Sequence, residues 1–423
     1  MNSIVNQDSQ ITVGLDIGSK KIKCAIGQVQ DNQKRVNLLG FSEIESSGIK
    51  KGIIINRDEL IDKIEQVINN AEVMADVKVT SLTLSITGEH IKCINTQAAI
   101  SLNYANGISN GSRERIINKN DILQVLNSSQ SISLPIDRDI LHTIPQEFIV
   151  DTLEKIDDPI GLTGRRLEGH VHLVTASTTG MKNLMESAEE LGININGLVF
   201  KPLASAMPTL TNDEIKLGVS LIDIGSTTTS VAVFNEGAVR HSAVIPIGSS
   251  SITNDIAVML RISIDEAEKI KLKYASAKSS LSSQKLEFEV PSSEEKQSIS
   301  ENELSQYVEA RMEEIFQLAL NEIKRSGINN KLGFGDFTLN KIYDPTHGAN
   351  TPIKGEVFIG QSTKNLDVRE SGTSFRGGAL GKLKEPYIMK AIPDKSTNPV
   401  LFVINNRLIT LKRTAQNDAK HVE

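Results

Sequence analysis

The feature that most constrains this chain is a pattern it uses twice. In Val13-Gly14-Leu15-Asp16-Ile17-Gly18-Ser19-Lys20-Lys21-Ile22-Lys23-Cys24-Ala25-Ile26-Gly27 an apolar strand ends in Asp-Ile-Gly-Ser, and a second strand follows at once. The same design returns in Leu221-Ile222-Asp223-Ile224-Gly225-Ser226-Thr227-Thr228-Thr229-Ser230-Val231-Ala232-Val233-Phe234, with Asp16 and Asp223 207 positions apart. One Asp-x-Gly-Ser is ordinary hairpin punctuation. Two copies, each inside an apolar hairpin and a domain's length apart, point to two related domains that grip one polyphosphate from opposite sides. The second turn is rich in hydroxyls and can offer several backbone N–H groups to an anion. Asp223, at a strand end, suits a hydrated magnesium.

Bulk properties remove other classes. A chain of 423 residues suffices for two or three domains and a sizeable core. Charged residues at 23% and hydrophobic ones at 39% fit a soluble globular protein. A net charge of −6 and the lack of a basic, aromatic-interleaved patch argue against nucleic acid. Cys24 and Cys93 both sit in strand-like stretches, which predicts buried free thiols and a cytoplasmic compartment. Residues 1–10 are polar, read as a flexible tail without a signal-peptide core, and no run has the length to span a membrane.

In chain order, the first hairpin is followed by a third strand, a helix over 58–75 with Leu60, Ile64, Val67, Ile68 and Ala71 at helical spacing, and an alternating strand over 81–86. This is an α/β opening. Residues 83–167 read as a small inserted α+β subdomain, with a helix over 119–129 capped at Asn118 or Asn120. His90, His142, His170 and His172 lie in or beside it, at spacings that match no zinc motif. Residues 168–200 return to the first domain. Pro202 opens a helix, and 201–333 form the second domain.

Three stretches carry two readings each. Gly248-Ser249-Ser250-Ser251 opens a helix, as an anion site on its free N–H groups or as a serine cap. Glu268 and Lys271 share a helix face, as a solvated ion pair or as contacts to a nucleoside's hydroxyls. Residues 400–411 read as a hairpin about Asn405-Asn406, or as an amphipathic membrane-surface helix with Arg407, Lys412 and Arg413 on its flank.

Taken together the segments resemble the actin/Hsp70/sugar-kinase ATPase superfamily and, within it, the bacterial cell-division protein family FtsA. The resemblance rests on Gly-Leu-Asp-Ile-Gly-Ser (14–19), Ser-Gly-Ile-Lys-Lys-Gly (47–52), Thr-Gly-Glu-His-Ile (87–91) and Ile-Pro-Gln-Glu-Phe (144–148). It continues in Asp-Pro-Ile-Gly-Leu-Thr-Gly-Arg-Arg-Leu (158–167), Pro-Leu-Ala-Ser-Ala (202–206), Leu-Ile-Asp-Ile-Gly (221–225) and Glu-Lys-Ile-Lys-Leu-Lys-Tyr (268–274). It implies an α/β, actin-like (ribonuclease-H-like) fold of two domains with the inserted α+β subdomain. Asp16 and Asp223 would face Mg-ATP, the metal held through water. Gly18, Ser19 and Lys21 would form the first phosphate loop, and Gly225, Ser226, Thr227 and Thr228 the second. Gly248 and Ser249 would line the site, and Glu268 and Lys271 would reach ribose and adenine. Arg311 would meet the carboxylates of an FtsZ tail. The implied protein binds ATP, is at most a slow ATPase, and self-assembles. It tethers the tubulin-like FtsZ ring to the inner membrane as a peripheral protein, and meets other division proteins through 83–167.

The sequence departs from that family in its second loop, usually Asp-Ile-Gly-Gly-Gly-Thr-Thr-Asp. Here Ser226 and Thr227 replace the middle glycines, and Ser230 replaces the second aspartate. From Phe334 onward the family's glycine-rich adenine turn and its basic C-terminal helix are not evident, and 334–423 reads as a divergent region. Two rivals remain open: an actin-like pilus-assembly ATPase, and a small-molecule kinase of the same superfamily.

Overall fold

The computed structural model describes residues 10–30, 35–102, 114–285, 287–290 and 297–328, together with the strands Asp336–Ile342, Glu356–Gln361, Ala391–Asp394, Leu401–Ile404 and Arg407–Lys412. Two compact units make up the chain, Met1–Ala204 and Ser205–Glu423, and the division falls inside the helix Lys201–Thr209.

In the first unit Gln10–Ile17, Lys21–Gln30 and Arg35–Glu45 form an antiparallel meander. The helix Arg57–Ala75 then carries the chain across to Ser81–Ile86, which joins parallel to the first strand, and Asn194–Phe200 joins parallel to that. A parallel strand cannot be reached by a tight turn, and the helix supplies the crossover connection. Leu60, Ile64, Val67, Ile68 and Ala71 are buried, so the helical spacing in the sequence is the face that meets the sheet. Asn56 caps the helix by accepting from the Glu59 N–H, and Asp76 ends it in the left-handed region at φ 53°. Gly40 permits the contact: a Cβ there would lie 2.5 Å from the Ala71 carbonyl oxygen.

The insert has its own sheet, in the order Leu153–Ile156, Arg138–Val150, Arg166–Ser177, Lys92–Ser101. The helix Lys119–Ser129 covers it, over a core of Ile100, Leu102, Ile117, Val125, Phe148, Val150 and Leu167. Asn118 and Asp121 form a reciprocal capping box, and Arg115 grips Asp121. The histidines are distributed along these strands. His142 Nε2 accepts the Phe200 N–H at 2.9 Å, and His172 Nδ1 lies 2.6 Å from Asn95 Oδ1. His170 pairs with Glu147 at 3.0 Å and Glu168 at 3.4 Å.

In the second unit the sheet order is Ala238–Ile245, Thr229–Asn235, Val219–Ile224, Leu401–Ile404, Arg407–Lys412, Glu356–Gln361. Every residue of Val219–Ile224 and Thr229–Asn235 is buried, as their continuous apolar runs require. The helices Ser249–Leu260, Ile264–Tyr274 and Glu301–Arg325 share one core, with Ile256, Leu260, Ile270, Leu304, Val308 and Ile315 among its members. Glu287–Val290 pairs with Gln297–Ser300 as a hairpin, and Phe288 stacks on Tyr274 at 4.0 Å between ring centroids.

Of the two readings of 400–411, the structure takes the hairpin. Leu401–Ile404 lies antiparallel to Arg407–Lys412; Asn405, Asn406 and Arg413 fall outside the described residues. Leu401–Ile404 also lies parallel to Val219–Ile224, with Asp223 opposite Val403. Among the described residues no helix is long and apolar enough to cross a membrane.

Candidate functional site

The two hairpin turns repeat each other position by position. In the first, Ile17 pairs with Ile22 and leaves Gly18 to Lys21 as the turn; in the second, Ile224 pairs with Thr229 and leaves Gly225 to Thr228. The Gly18 N–H donates to the Lys21 carbonyl at 3.0 Å, and the Gly225 N–H to the Thr228 carbonyl at 2.8 Å. A Cβ on Gly18 would lie 2.8 Å from the Lys21 oxygen, and one on Gly225 would lie 2.9 Å from the Thr228 oxygen. Glycine is therefore demanded by the closure of each turn. Each aspartate sits one residue before the end of its strand. The residue opposite Asp16 is Lys23, and the residue opposite Asp223 is Ser230. The glycine-to-hydroxyl changes at Ser226 and Thr227 sit inside a turn of unchanged length.

Asp16 is held from three sides. Ser85, beside it on the parallel strand, donates to Oδ1, and Lys201 donates to Oδ2 at 3.1 Å. Burial works to raise the Asp16 pKa, but Lys201, the Ser85 hydroxyl and the charge of Lys23 outweigh it and hold the carboxyl below the usual carboxylate range. Burial, helped by the charge of Lys201, in turn lowers the Lys23 ammonium, against the opposing pull of Glu43 and Asp16. Lys21 turns to the neighbouring strand, with its ammonium 2.5 Å from Glu43. This differs from a phosphate-loop lysine aimed into its own turn; Glu43, two strand positions from its register partner Glu45, draws it sideways. Asp223 is 4% exposed and accepts from Ser205 Oγ at 3.3 Å.

Gly248 and the serines after it brace the second turn. The Ser249 N–H donates to the Gly225 carbonyl at 2.9 Å, and the Ser250 N–H donates to the Ser226 carbonyl at 2.7 Å. The Ser251 N–H returns to the Gly248 carbonyl at 3.0 Å. The serine-cap reading also fails, since no side chain caps the helix Ser249–Leu260. Its opening N–H groups are satisfied by the turn, so they serve as a mount for the turn rather than as a separate anion cradle. Gly248 makes room for this: a Cβ there would fall 2.5 Å from the Ser226 oxygen and 2.6 Å from the Gly225 oxygen.

Glu268 and Lys271 are a pair, and it is not solvated. The ammonium lies 2.6 Å from Glu268 Oε2, and the Lys271 side chain is 2% exposed. Thr253 ties both groups, accepting from Lys271 at 2.8 Å and donating to Glu268 at 2.6 Å. Lys271 also reaches the Ser249 carbonyl at 3.4 Å. This buried network fastens Ile264–Tyr274 to the first turn of Ser249–Leu260, the turn that mounts Gly225 and Ser226.

Arg311 is engaged within its own unit. Its Nε and Nη2 contact the two Asp255 oxygens at 2.6 and 2.9 Å, and Nη1 pairs with Glu314. The bond to Asp255 is the main cause that raises its pKa further. Ser85, Lys201 and Thr253 lie outside the quoted motifs, and Lys23 and Ser205 lie inside them without being singled out for the site, because strand pairing or helix docking rather than spacing recruits each. Lys201 immediately precedes Pro-Leu-Ala-Ser-Ala. Among the described residues no three His, Cys, Asp or Glu gather as metal ligands.

Each unit thus carries a three-strand antiparallel meander joined by a parallel fourth strand, with an aspartate ahead of a glycine-closed turn. That architecture is the actin-like α/β class. The PilM–PilN type IV pilus biogenesis complex has a similar chain, with a TM-score of 0.52, 13% identity, and coverage of 75% of this chain and 77% of that one. Family models match as well: "Cell division protein FtsA" over residues 220–385, and "SHS2 domain inserted in FTSA" over residues 88–175.

The cell division protein FtsA of Pseudomonas aeruginosa is 33% identical over 397 residues, covering 93% of this chain and 87% of its own. That of Neisseria meningitidis serogroup B is 33% identical over 380 residues, covering 89% and 87%. The chain belongs to the FtsA family of cell-division proteins. The match to residue 385 extends past Phe334, so the family pattern persists into a stretch where motif reading finds none.

Proposed function

We propose that this protein is a nucleotide-binding scaffold of the division apparatus. It binds ATP, assembles with copies of itself, and links the FtsZ ring to the cytoplasmic membrane as a peripheral protein on its inner face. The observation that carries this is the repeated turn: equal length, equal hydrogen bond, the same glycine requirement, and an aspartate at the same position of each. A structural hairpin has no need to repeat all four.

In this reading Gly18 and Ser19, and Gly225 to Thr228, meet the phosphates, with Asp16 and Asp223 near the ends of the two strands that carry these turns. A magnesium approaching Asp16 would be brought beside the Lys201 ammonium. Gly248 and Ser249 hold the second turn in place, and the Glu268–Lys271 network supports them from behind. Hydrolysis is slow at most. The domain bounds read from the sequence shift with the sheets: Ser81–Ile86 belongs to the first unit's main sheet, Arg166–Ser177 to the insert's sheet, and Glu356–Gln361, Leu401–Ile404 and Arg407–Lys412 to the second unit's sheet, so the face for other division proteins is the insert from Lys92 to Ser177. Arg311 takes a carboxylate of the FtsZ tail by exchanging its bonds to Asp255 and Glu314 for bonds to the partner.

Calorimetric titration of ATP into the full chain tests the core of this. Saturable binding by the wild type, lost in both Asp223→Ala and Gly18→Ala while their circular dichroism is retained, is the expected result. A wild type that binds no nucleotide would sink it. For the partner, an FtsZ C-terminal peptide should be retained by the protein and released by Arg311→Ala; equal retention would remove Arg311 from the interface.

A further inference from the structure

The bond between Lys201 and Asp16 is not used by the nucleotide reading, and it bears on that reading's metal. Oδ1 of Asp16 accepts from Ser85, and Oδ2 accepts from the Lys201 ammonium at 3.1 Å. Each oxygen thereby already accepts one hydrogen bond, and one of the two donors is a cation. Lys23, opposite Asp16 in the hairpin register and ion-paired with Glu43 at 3.4 Å, adds a second positive charge near the same carboxylate. A divalent cation held through water needs those oxygens to accept from its water molecules. Its charge would also have to be brought beside two ammonium groups.

The backbone fixes this arrangement. Asp16 pairs with Ser85 on the adjacent parallel strand, and Ser85 pairs with Val199 on the next. Phe200 ends that strand, and Lys201 opens the helix that follows. Asp16, Ser85 and Lys201 therefore stand at the same end of three adjoining parallel strands, inside one unit. The Lys201 side chain is only 16% exposed, so the ammonium is largely withdrawn from water and directed at the carboxylate.

We propose that Lys201 is the resident cation of Asp16, so that this protein takes a nucleoside phosphate without requiring a divalent cation at Asp16. The identity of the ligand rests on the nucleotide reading above; the ion pair does not. Lys201→Gln would then uncover the carboxylate and create a dependence on metal that the wild type lacks, while Lys201→Arg would preserve the wild-type behaviour.

The test is calorimetric ATP titration of the full chain in magnesium and in EDTA, for the wild type, Lys201→Gln and Lys201→Arg. The expected result is a wild-type affinity that differs less than about threefold between the two conditions. Lys201→Gln should bind about tenfold or more tightly with magnesium, and Lys201→Arg should follow the wild type. A wild type that weakens about tenfold or more in EDTA overturns the proposal, as does a Lys201→Gln protein equally indifferent to metal. The wild-type arm decides the matter if Lys201→Gln fails to fold.

If ATP binds none of the proteins, the nucleotide reading has failed separately. Binding of manganese alone, followed by electron paramagnetic resonance, then decides. A gain of about tenfold or more in Lys201→Gln over the wild type supports the proposal, and equal behaviour overturns it.

Discussion

At the scale of single residues, the site depends on atoms that are not there. Gly248 carries no Cβ, and the carbonyls of Gly225 and Ser226 occupy that space at 2.6 and 2.5 Å. Both obstacles are backbone, so they cannot rotate aside. Gly248→Ala is expected to cost about 1–3 kcal/mol in urea denaturation, by the logic of overpacking. Gly14→Ala, where nothing lies within 4 Å, should stay within about 0.5 kcal/mol. The Glu268–Lys271 pair has the opposite character, since its worth lies in completeness. Lys271→Met leaves Glu268 without its cation and Thr253 without a donor, and is expected to lose about 3–5 kcal/mol. Adding Glu268→Gln to that variant should recover part of the loss, because the uncompensated charge is then gone. If the double variant is as unstable as the sum of the singles, the two residues are not acting as a pair.

At the scale of elements, the joint between the insert and the first unit's main sheet is a histidine. His142, on Arg138–Val150, accepts the Phe200 N–H through Nε2, which requires that nitrogen to be unprotonated. Burial lowers the pKa of His142, and burial with the charge of Arg138 lowers that of His90 against the pull of Glu89. Both histidines then bind protons more readily in the unfolded chain than in the folded one, so stability rises with pH across the window between their folded values and about 6.5. Acidification below that value is expected to lower the urea midpoint progressively. His142→Gln, which keeps an acceptor but does not titrate, should flatten the slope. A slope unchanged in that variant would assign the acid sensitivity elsewhere.

The elements themselves were largely legible in the sequence. Helical spacing marked Arg57–Ala75, alternation marked Ser81–Ile86, and Asn118 marked the start of Lys119–Ser129. Asn212–Leu217 is too short to show a periodic stripe, and only its Thr211–Glu214 capping box announces it. The hairpin of Leu401–Ile404 and Arg407–Lys412 could be read two ways, because a short apolar run fits both periods; pairing with Val219–Ile224 is what selects the strand.

At the scale of the whole molecule, stability and function are linked by mass action. If ATP binds the folded chain alone, ATP at about a hundred times its dissociation constant adds about 2.7 kcal/mol. The melting temperature should rise accordingly, and Asp223→Ala should abolish the rise while ADP or ATP is varied over the same range. A melting temperature that is insensitive to nucleotide in the wild type would count against the proposed function.

What the sequence determined by itself was the duplication, the class of fold and the family. Those follow from local chemistry: an apolar run, an aspartate and a glycine in fixed order need no distant partner to be recognised. What only the tertiary structure decided was how each polar group is used. Lys21 leans to Glu43, Arg311 closes on Asp255, and the serines after Gly248 give their N–H groups to a turn more than twenty residues earlier. Lys201 reaches Asp16 across 185 positions of chain. A charged side chain takes the nearest opposite charge in space, and strand order rather than sequence spacing sets which charge that is.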